Sequence, residues 1–216
     1  MAEKMPVAVL ISGRGRTLKN LLDKIEAGEL DVEISVVIAS SQNASGMQYA
    51  EKAGIPVEVI ESSKFADNAE FSKAIFRLCR MTGVRYVVLA GWLSFITIPE
   101  DFEDRVLNIH PSLIPSFCGK GMYGGSVHEQ ALERGVKVSG CTVHFADNVY
   151  DNGPIVCQKV VPVLDGDTVE TLSDRVLFDA EFVAYPEVLQ ALAERRVQVM
   201  SKPGSTRKVV RVLPKN

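Results

Sequence analysis

The chain has 216 residues, 46% of them hydrophobic and 24% charged, with a formal net charge of −3. This composition is typical of one sizeable globular domain, and the small negative charge disfavours a large nucleic-acid-binding surface. The four cysteines are scattered and match no zinc or CxxC redox spacing, and no segment predicts a signal peptide or membrane span. We therefore expect a cytoplasmic protein.

Short apolar runs alternate with longer mixed segments through the first half of the chain. The apolar runs, rich in Val and Ile, predict strands at residues 7–11, 34–39, 57–60 and 86–90. The mixed segments predict helices near residues 17–27, 46–53 and 68–81. Because continuous apolar strands between helices are typical of a parallel sheet covered on both faces, the first half predicts a doubly wound, Rossmann-like α/β unit.

The pattern changes after Pro111. A Gly-rich loop at residues 119–125 precedes a predicted helix at 127–134, and apolar strands are predicted at 138–145 and 155–163. The connection between these two strands is too short for a crossover helix, so they are expected to pair antiparallel.

The last part of the chain predicts helices and then a tail. A helix is expected at residues 168–183, followed by a break at Pro186 and a second helix to about Arg195. Residues 201–216 are expected to be mobile. We therefore predict one domain, residues 1–200, whose mostly parallel sheet is extended by antiparallel strands in its second half.

Three polar residues could form a catalytic group. Asn108 and His110 are two apart on a predicted strand, so both side chains face the same way. A carboxylate from Asp151 against the imidazole would raise the pKa of His110, and the set would supply donors and a proton carrier for acyl-type transfer. The alternative is that His110 is a core histidine, Asn108 a strand-end residue and Asp151 a turn former.

The loop Ser-Gly-Arg-Gly-Arg-Thr at residues 12–17 joins the first predicted strand to the first predicted helix. Backbone N–H groups and the helix dipole favour an anion at such a place. Leu18 stands where a dinucleotide fingerprint has its third glycine. The two glycines also fit a turn with no ligand, so the residues alone leave phosphate binding open.

Several segments together resemble a known family. LNIHPSLIP is preceded by VVLAGWL and followed by SGCTVHF and YDNGPI, and the chain opens with VAVLISGRGRTL. Over residues 7–200 the sequence resembles the folate-dependent glycinamide ribonucleotide (phosphoribosylglycinamide) formyltransferases. The resemblance implies the formyltransferase fold, 10-formyltetrahydrofolate as co-substrate and no metal. It also implies formyl transfer to the amine of glycinamide ribonucleotide in purine (IMP) biosynthesis.

The resemblance also implies roles for individual residues. Asn108, His110 and Asp151 would be catalytic, with protonated His110 helping to stabilise the oxyanion. The ribonucleotide would contact Gly15, Arg16 and Thr17 through its phosphate and Glu181 through its ribose. Folate would contact Leu93, Ser94, Phe95, Ile96, Asn68 and Asn108. The chain departs from the family pattern at Arg14, Arg16, Asn68, Ser94 and Phe182.

Other functions remain open. A formyltetrahydrofolate hydrolase would be expected to carry an additional amino-terminal domain, and a methionyl-tRNA formyltransferase an additional carboxyl-terminal one. A sugar-amine formyltransferase and a non-catalytic nucleotide or folate binder are further alternatives. We expect small-molecule substrates, no nucleic-acid or membrane partner, and a monomer or homodimer.

Overall fold

The computed structural model describes residues 4–215. The chain divides into two compact units, Met1–Leu107 and Asn108–Asn216. Strands β1 to β7 belong to one mixed, mostly parallel sheet, and a separate two-stranded sheet lies near the carboxyl terminus. Among the described residues, no helix is both long and apolar enough to cross a membrane. The single domain predicted for residues 1–200 stays a prediction.

The first unit has a parallel α/β architecture. Its strands pair in parallel in the order β3-β2-β1-β4 and comprise β1 (Met5–Ile11), β2 (Val32–Ala39), β3 (Val57–Val59) and β4 (Tyr86–Leu89). Its helices are α1 (Arg16–Glu26), α2 (Met47–Lys52) and α3 (Asn68–Met81). The β1 residues from Val7 to Ile11 are fully buried, as strands covered on both faces require. The predicted doubly wound, Rossmann-like α/β pattern is confirmed.

The start of α3 is fixed by a side-chain cap. The carboxylate of Asp67 accepts a hydrogen bond from the Glu70 N–H at 2.9 Å, which satisfies one of the free donors of the first turn. Further along, Phe71, Ile75 and Cys79 repeat every four residues and are buried, which packs one face of α3 into the core. Asn68 and Ser72 are thereby held rigidly in the first turns.

Two glycines approach each other closely where β1 ends. The Gly46 N–H donates to the Gly13 carbonyl at 2.9 Å. Gly15 has a φ of +66°, and a Cβ on it would lie 2.7 Å from the Gly46 Cα. Both the backbone angle and the close approach therefore require glycine at position 15.

The boundary between the two units falls within strand β5 (Val106–His110), at Asn108. β5 ends in the second unit, and the later elements are α4 (Gly125–Glu133), β6 (Val138–Phe145), β7 (Ile155–Pro162), α5 (Val169–Arg175), α6 (Phe182–Ala193), β8 (Val197–Ser201) and β9 (Lys208–Val212). β6 and β7 pair antiparallel, as predicted. Their register shifts between Val143 and His144.

One local prediction for this unit was wrong. Pro186 does not break the helix but lies inside α6, and the interruption is a π-helical turn at Val176–Glu181. Tyr185 and Leu189 beside the proline are fully buried, so packing of this apolar helix outweighs one missing backbone hydrogen bond. The tail contains β9, which pairs antiparallel with β8, and its predicted mobility stays a prediction.

The close approach of Gly15 and Gly46 predicts a large loss of stability for Gly15→Ala. The matched control is Gly83→Ala, because Gly83 has the same φ of +66° with no atom within 4 Å of an added Cβ. We expect the control to lose about 1 kcal/mol from its backbone angle, and Gly15→Ala to lose a further 1–3 kcal/mol or so from overpacking. Urea denaturation of the three proteins measures the difference, and equal losses would contradict the steric argument.

Candidate active site

The structure brings Asn108, His110 and Asp151 together within the second unit. The first two lie at the end of β5, and Asp151 lies in the loop between β6 and β7. The carboxylate of Asp151 has one oxygen 3.6 Å from the His110 Nδ1 and the other 3.4 Å from the Asn108 Nδ2. Side-chain exposure is 5% for His110 and 10% for Asp151. The alternation along β5 therefore correctly predicted that both side chains face one carboxylate.

One ring nitrogen of His110 is held by the backbone. Its Nε2 lies 2.8 Å from the Phe117 carbonyl oxygen. Because a carbonyl oxygen can only accept, Nε2 carries the proton and donates it. The second ring nitrogen, Nδ1, therefore exchanges protons, and it faces Asp151 across a gap longer than a direct hydrogen bond.

Two opposing effects act on the pKa of His110, and its predicted protonation during the reaction stays a prediction. Burial lowers the pKa of His110, and the attraction of Asp151 and the Phe117 carbonyl does not offset it. The carboxylate of Asp151 has the opposite balance. Burial alone would raise the pKa of Asp151, but the imidazoles of His144 and His110 and the Gly119 N–H hold it below its usual range. The resting pair is therefore a neutral imidazole beside an ionised carboxylate.

The loop after β5 supports both members of this pair with main-chain atoms. Besides the Phe117 carbonyl on His110, the Gly119 N–H donates to the carboxylate of Asp151 at 2.8 Å. Phe117 and Asp151 adopt positive φ angles of 49° and 51°, which non-glycine residues rarely do. The start of the predicted Gly-rich loop is thus tied to the candidate catalytic residues.

His144 is a fourth member of the cluster that the sequence did not reveal. Its Nδ1 lies 3.1 Å from the Phe145 carbonyl, which can only accept, so Nδ1 carries a proton and Nε2 is the nitrogen that faces the cluster. The Asn108 amide nitrogen lies 3.2 Å from that Nε2, and Asp151 lies 3.7 Å from it. His144 therefore fixes which way the Asn108 amide points.

His128 lies beside this cluster, on α4. It is 2% exposed, and its Nδ1 has no hydrogen-bond partner within the described part of the chain. Burial and the nearby imidazole of His110 lower the pKa of His128 to about 4, so it is neutral near pH 7.

The candidate phosphate loop, residues 12–17, lies in the first unit where β1 ends and α1 begins. Gly15 is the N-cap residue of α1 and provides no side-chain cap. Thr17 is 7% exposed, whereas the side chains of Arg14 and Arg16 are exposed beside this helix start. The arrangement offers backbone donors and positive charge to an anion.

The segment predicted to contact folate follows β4, also in the first unit. Leu93 is 62% exposed, Ser94 and Phe95 are half-buried, and Ile96 is buried. Asn68 donates from its amide to the Phe95 carbonyl at 2.6 Å. Asn68 thus supports this segment, and its predicted contact with folate stays a prediction.

A second contact anchors the far end of the same segment to α3. The Thr97 N–H donates to Ser72 Oγ at 2.8 Å, and the Thr97 hydroxyl donates to the Asn68 side-chain oxygen at 2.8 Å. The buried Trp92 stacks on Phe71 with a centroid separation of 6.1 Å, and its indole Nε1 has no partner within residues 4–215. Contacts with α3 therefore hold this segment in place, while the side chain of Leu93 is exposed.

Glu181 lies in the π-helical turn of the second unit and is 9% exposed. Its predicted ribose contact stays a prediction. Within residues 4–215, no group of three or more His, Cys, Asp or Glu side chains could hold a metal ion.

Comparison with known proteins gives consistent matches. The formyl transferase model matches residues 5–189. Trifunctional purine biosynthetic protein adenosine-3 of Gallus gallus is 42% identical over 198 residues, covering 91% of this chain but only 19% of that protein. The chain thus spans about a fifth of the length of the trifunctional relatives that it matches.

Two solved structures resemble most of the chain. Glycinamide ribonucleotide transformylase 1 of Symbiobacterium toebii is 38% identical with a TM-score of 0.89, and the match covers 99% of this chain and 96% of that one. A formyltetrahydrofolate deformylase of Pseudomonas syringae is 29% identical with a TM-score of 0.84, covering 99% of this chain and 67% of that one. Because the family model spans most of its length and encloses the cluster around Asp151, this chain belongs to the formyl transferase family.

Proposed function

We propose that this protein transfers the formyl group of 10-formyltetrahydrofolate to the amine of 5-phosphoribosylglycinamide. The products are formylglycinamide ribonucleotide and tetrahydrofolate, and the step belongs to purine (IMP) biosynthesis. The observation that carries the proposal is that Asn108 and His110 both face the carboxylate of Asp151 in a chain of the formyl transferase family. Near-complete coverage of a glycinamide ribonucleotide transformylase supports the choice of acceptor.

The resting protonation state determines the order of proton transfer. The substrate amine attacks the formyl carbon, a C–N bond forms, and the carbonyl electron pair moves onto oxygen. Neutral His110 then accepts the proton released by the amine at Nδ1 and returns it to the departing folate nitrogen as the second C–N bond breaks. The 3.6 Å gap between Nδ1 and Asp151 suits transfer through a water molecule oriented by the carboxylate. Asp151 stabilises the transient imidazolium.

Asn108 supplies the donor for the oxyanion. One hydrogen of its Nδ2 points to His144 at 3.2 Å, and the other makes a longer contact of 3.4 Å with Asp151. The longer contact is the weaker one, so its hydrogen is the one released to the formyl oxygen as negative charge develops.

A formyltetrahydrofolate hydrolase is the second candidate function, because a deformylase is a close structural neighbour. In that reaction water would replace the amine, and no ribonucleotide site would be needed. The uncapped helix start at Gly15 with Arg14 and Arg16 beside it favours an acceptor that carries a phosphate. A non-catalytic binder would not need a neutral imidazole beside a buried carboxylate.

Product analysis tests the proposal directly. Purified protein is incubated with 10-formyltetrahydrofolate alone, and then with 5-phosphoribosylglycinamide added. Formylated ribonucleotide formed only with both substrates is the expected result. Formate released without the ribonucleotide would instead establish the hydrolase.

The proposal includes the conditions under which the protein works. 10-formyltetrahydrofolate serves as co-substrate, and no metal takes part. The partners are small-molecule substrates, with no nucleic acid and no membrane, and the protein acts as a monomer or homodimer in the cytoplasm.

Charge reversal in the candidate phosphate loop should weaken ribonucleotide binding selectively. Arg16→Glu places a negative charge where a phosphate dianion is proposed, so KM for the ribonucleotide should rise about tenfold or more while KM for folate changes little. Arg77→Glu, an equivalent reversal on the exposed face of α3, is the control and should change neither constant. If Arg16→Glu changed the KM for the ribonucleotide and the KM for folate equally, the phosphate would not bind to this loop.

Removing the charge of Asp151 should impair the chemical step. Asp151→Asn should keep both KM values near normal, because amide and carboxylate are close in size, while kcat falls about a hundredfold or more. The pKa of His110 should fall further because the carboxylate that raises it is gone, so the limb of the kcat–pH profile that reports His110 should move to lower pH.

The control for this prediction is Asp165→Asn. The Asp165 side chain is fully exposed in the same unit, so its replacement should leave kcat and its pH profile unchanged. Urea denaturation confirms that both variants are folded. Near-normal turnover of Asp151→Asn with an unchanged pH profile would show that Asp151 has no catalytic role and only forms the turn.

A further inference from the structure

Hydrogen bonds of Ser12 connect the carboxyl ends of three parallel strands in the first unit, β1, β2 and β4. It directly follows β1, and its N–H donates to the Gly91 carbonyl beyond β4 at 3.2 Å. Its hydroxyl oxygen accepts the Leu93 N–H at 3.0 Å and the Ser40 hydroxyl at 2.9 Å. Ser40 directly follows β2, and its own N–H donates to the Ile11 carbonyl at 3.0 Å.

This junction links the two segments of the first unit to which ligands are assigned. Ser12 begins the candidate phosphate loop, whereas Leu93 begins the segment assigned to folate. Ser12 and Leu93 are 81 apart in sequence and are joined by one hydrogen bond, from the Leu93 N–H to the Ser12 hydroxyl. A second bond, from the Ser12 N–H to the Gly91 carbonyl, lies two residues before that segment. Because the Leu93 N–H donates to the Ser12 hydroxyl, that hydroxyl positions the first residue of the folate segment, while α3 holds its far end.

The loop side of the junction has little freedom. Gly15 is packed against Gly46, and the Gly46 N–H holds the Gly13 carbonyl at 2.9 Å. An anion held by the N–H groups at the start of α1 is therefore connected to Ser12 through a short, constrained stretch of backbone. Through the Ser12 oxygen the same constraint reaches Leu93.

We propose that the Ser12 hydroxyl is a positioning group that couples phosphate binding in residues 12–17 to folate binding at Leu93–Ile96. The inference rests on the proposed function, which assigns one ligand to each segment. Coupling between two sites is reciprocal, so each ligand tightens binding of the other by the same factor. The acceptor and the formyl donor therefore assemble together instead of binding independently.

The experiment measures tetrahydrofolate binding by calorimetry with and without saturating ribose 5-phosphate. Ribose 5-phosphate carries the phosphate but lacks the glycinamide group, so the two ligands have no reacting groups to bring into contact. In the unaltered protein the Kd for tetrahydrofolate should fall about fivefold or more when ribose 5-phosphate is present. In Ser12→Ala that ratio should approach one, even if each affinity alone also changes.

Two variants separate coupling from a purely structural effect. Ser12→Thr keeps a hydroxyl, so the ratio of the two tetrahydrofolate Kd values should be the same as in the unaltered protein. Ser40→Ala removes one neighbour of Ser12 but leaves the hydrogen bond between Ser12 and Leu93, so this variant should also keep that ratio. Ser12→Cys, whose sulfur is a weak acceptor, should give a reduced ratio and serves as the test if Ser12→Ala does not fold.

The outcomes distinguish this inference from the proposed function. If both ligands bind but the ratio is the same in Ser12→Ala as in the unaltered protein, the coupling role of Ser12 is wrong while the proposed function stands. A ratio of one in the unaltered protein likewise overturns the coupling alone. If tetrahydrofolate does not bind in either condition, the proposed function fails and the inference fails with it.

Discussion

The candidate site depends on one buried negative charge. Removing a carboxylate from water is unfavourable unless hydrogen bonds and opposite charge replace its hydration. For Asp151 that replacement comes from the Gly119 N–H, the Asn108 amide and the adjoining imidazole of His144. Strand β5, strand β6 and the loop after β5 are therefore held in mutual position by the need to satisfy a single side chain.

The balance between burial and charge decides what the site can do. A fully solvated histidine beside a carboxylate would be protonated, but burial makes the neutral form of His110 the resting state. A neutral imidazole can accept the proton that an amine releases on attack, whereas an imidazolium could not. In the proposed transfer, the same carboxylate stabilises the protonated form of His110, which suits a step that moves a proton without consuming one.

Local patterns in the sequence predicted most of the fold and part of the site. Apolar runs located β1, β2 and β4, and the two-residue spacing of Asn108 and His110 correctly placed both on one face. His144 could not be found in this way, because its approach to Asp151 is a tertiary contact that the pattern along β6 does not report. The pKa of His110, like the helix through Pro186, depends on burial in tertiary structure, which a linear pattern does not report.

The hydrogen bonds from Phe117 and Gly119 to the candidate catalytic pair come from the main chain. Any amino acid supplies a carbonyl, and any residue except proline supplies an N–H. Side chains in this loop can therefore diverge during evolution while the proton chemistry persists, provided that the backbone path is kept. Relatives with dissimilar loop sequences could share the same mechanism, and a one-residue deletion there would be more damaging than several substitutions.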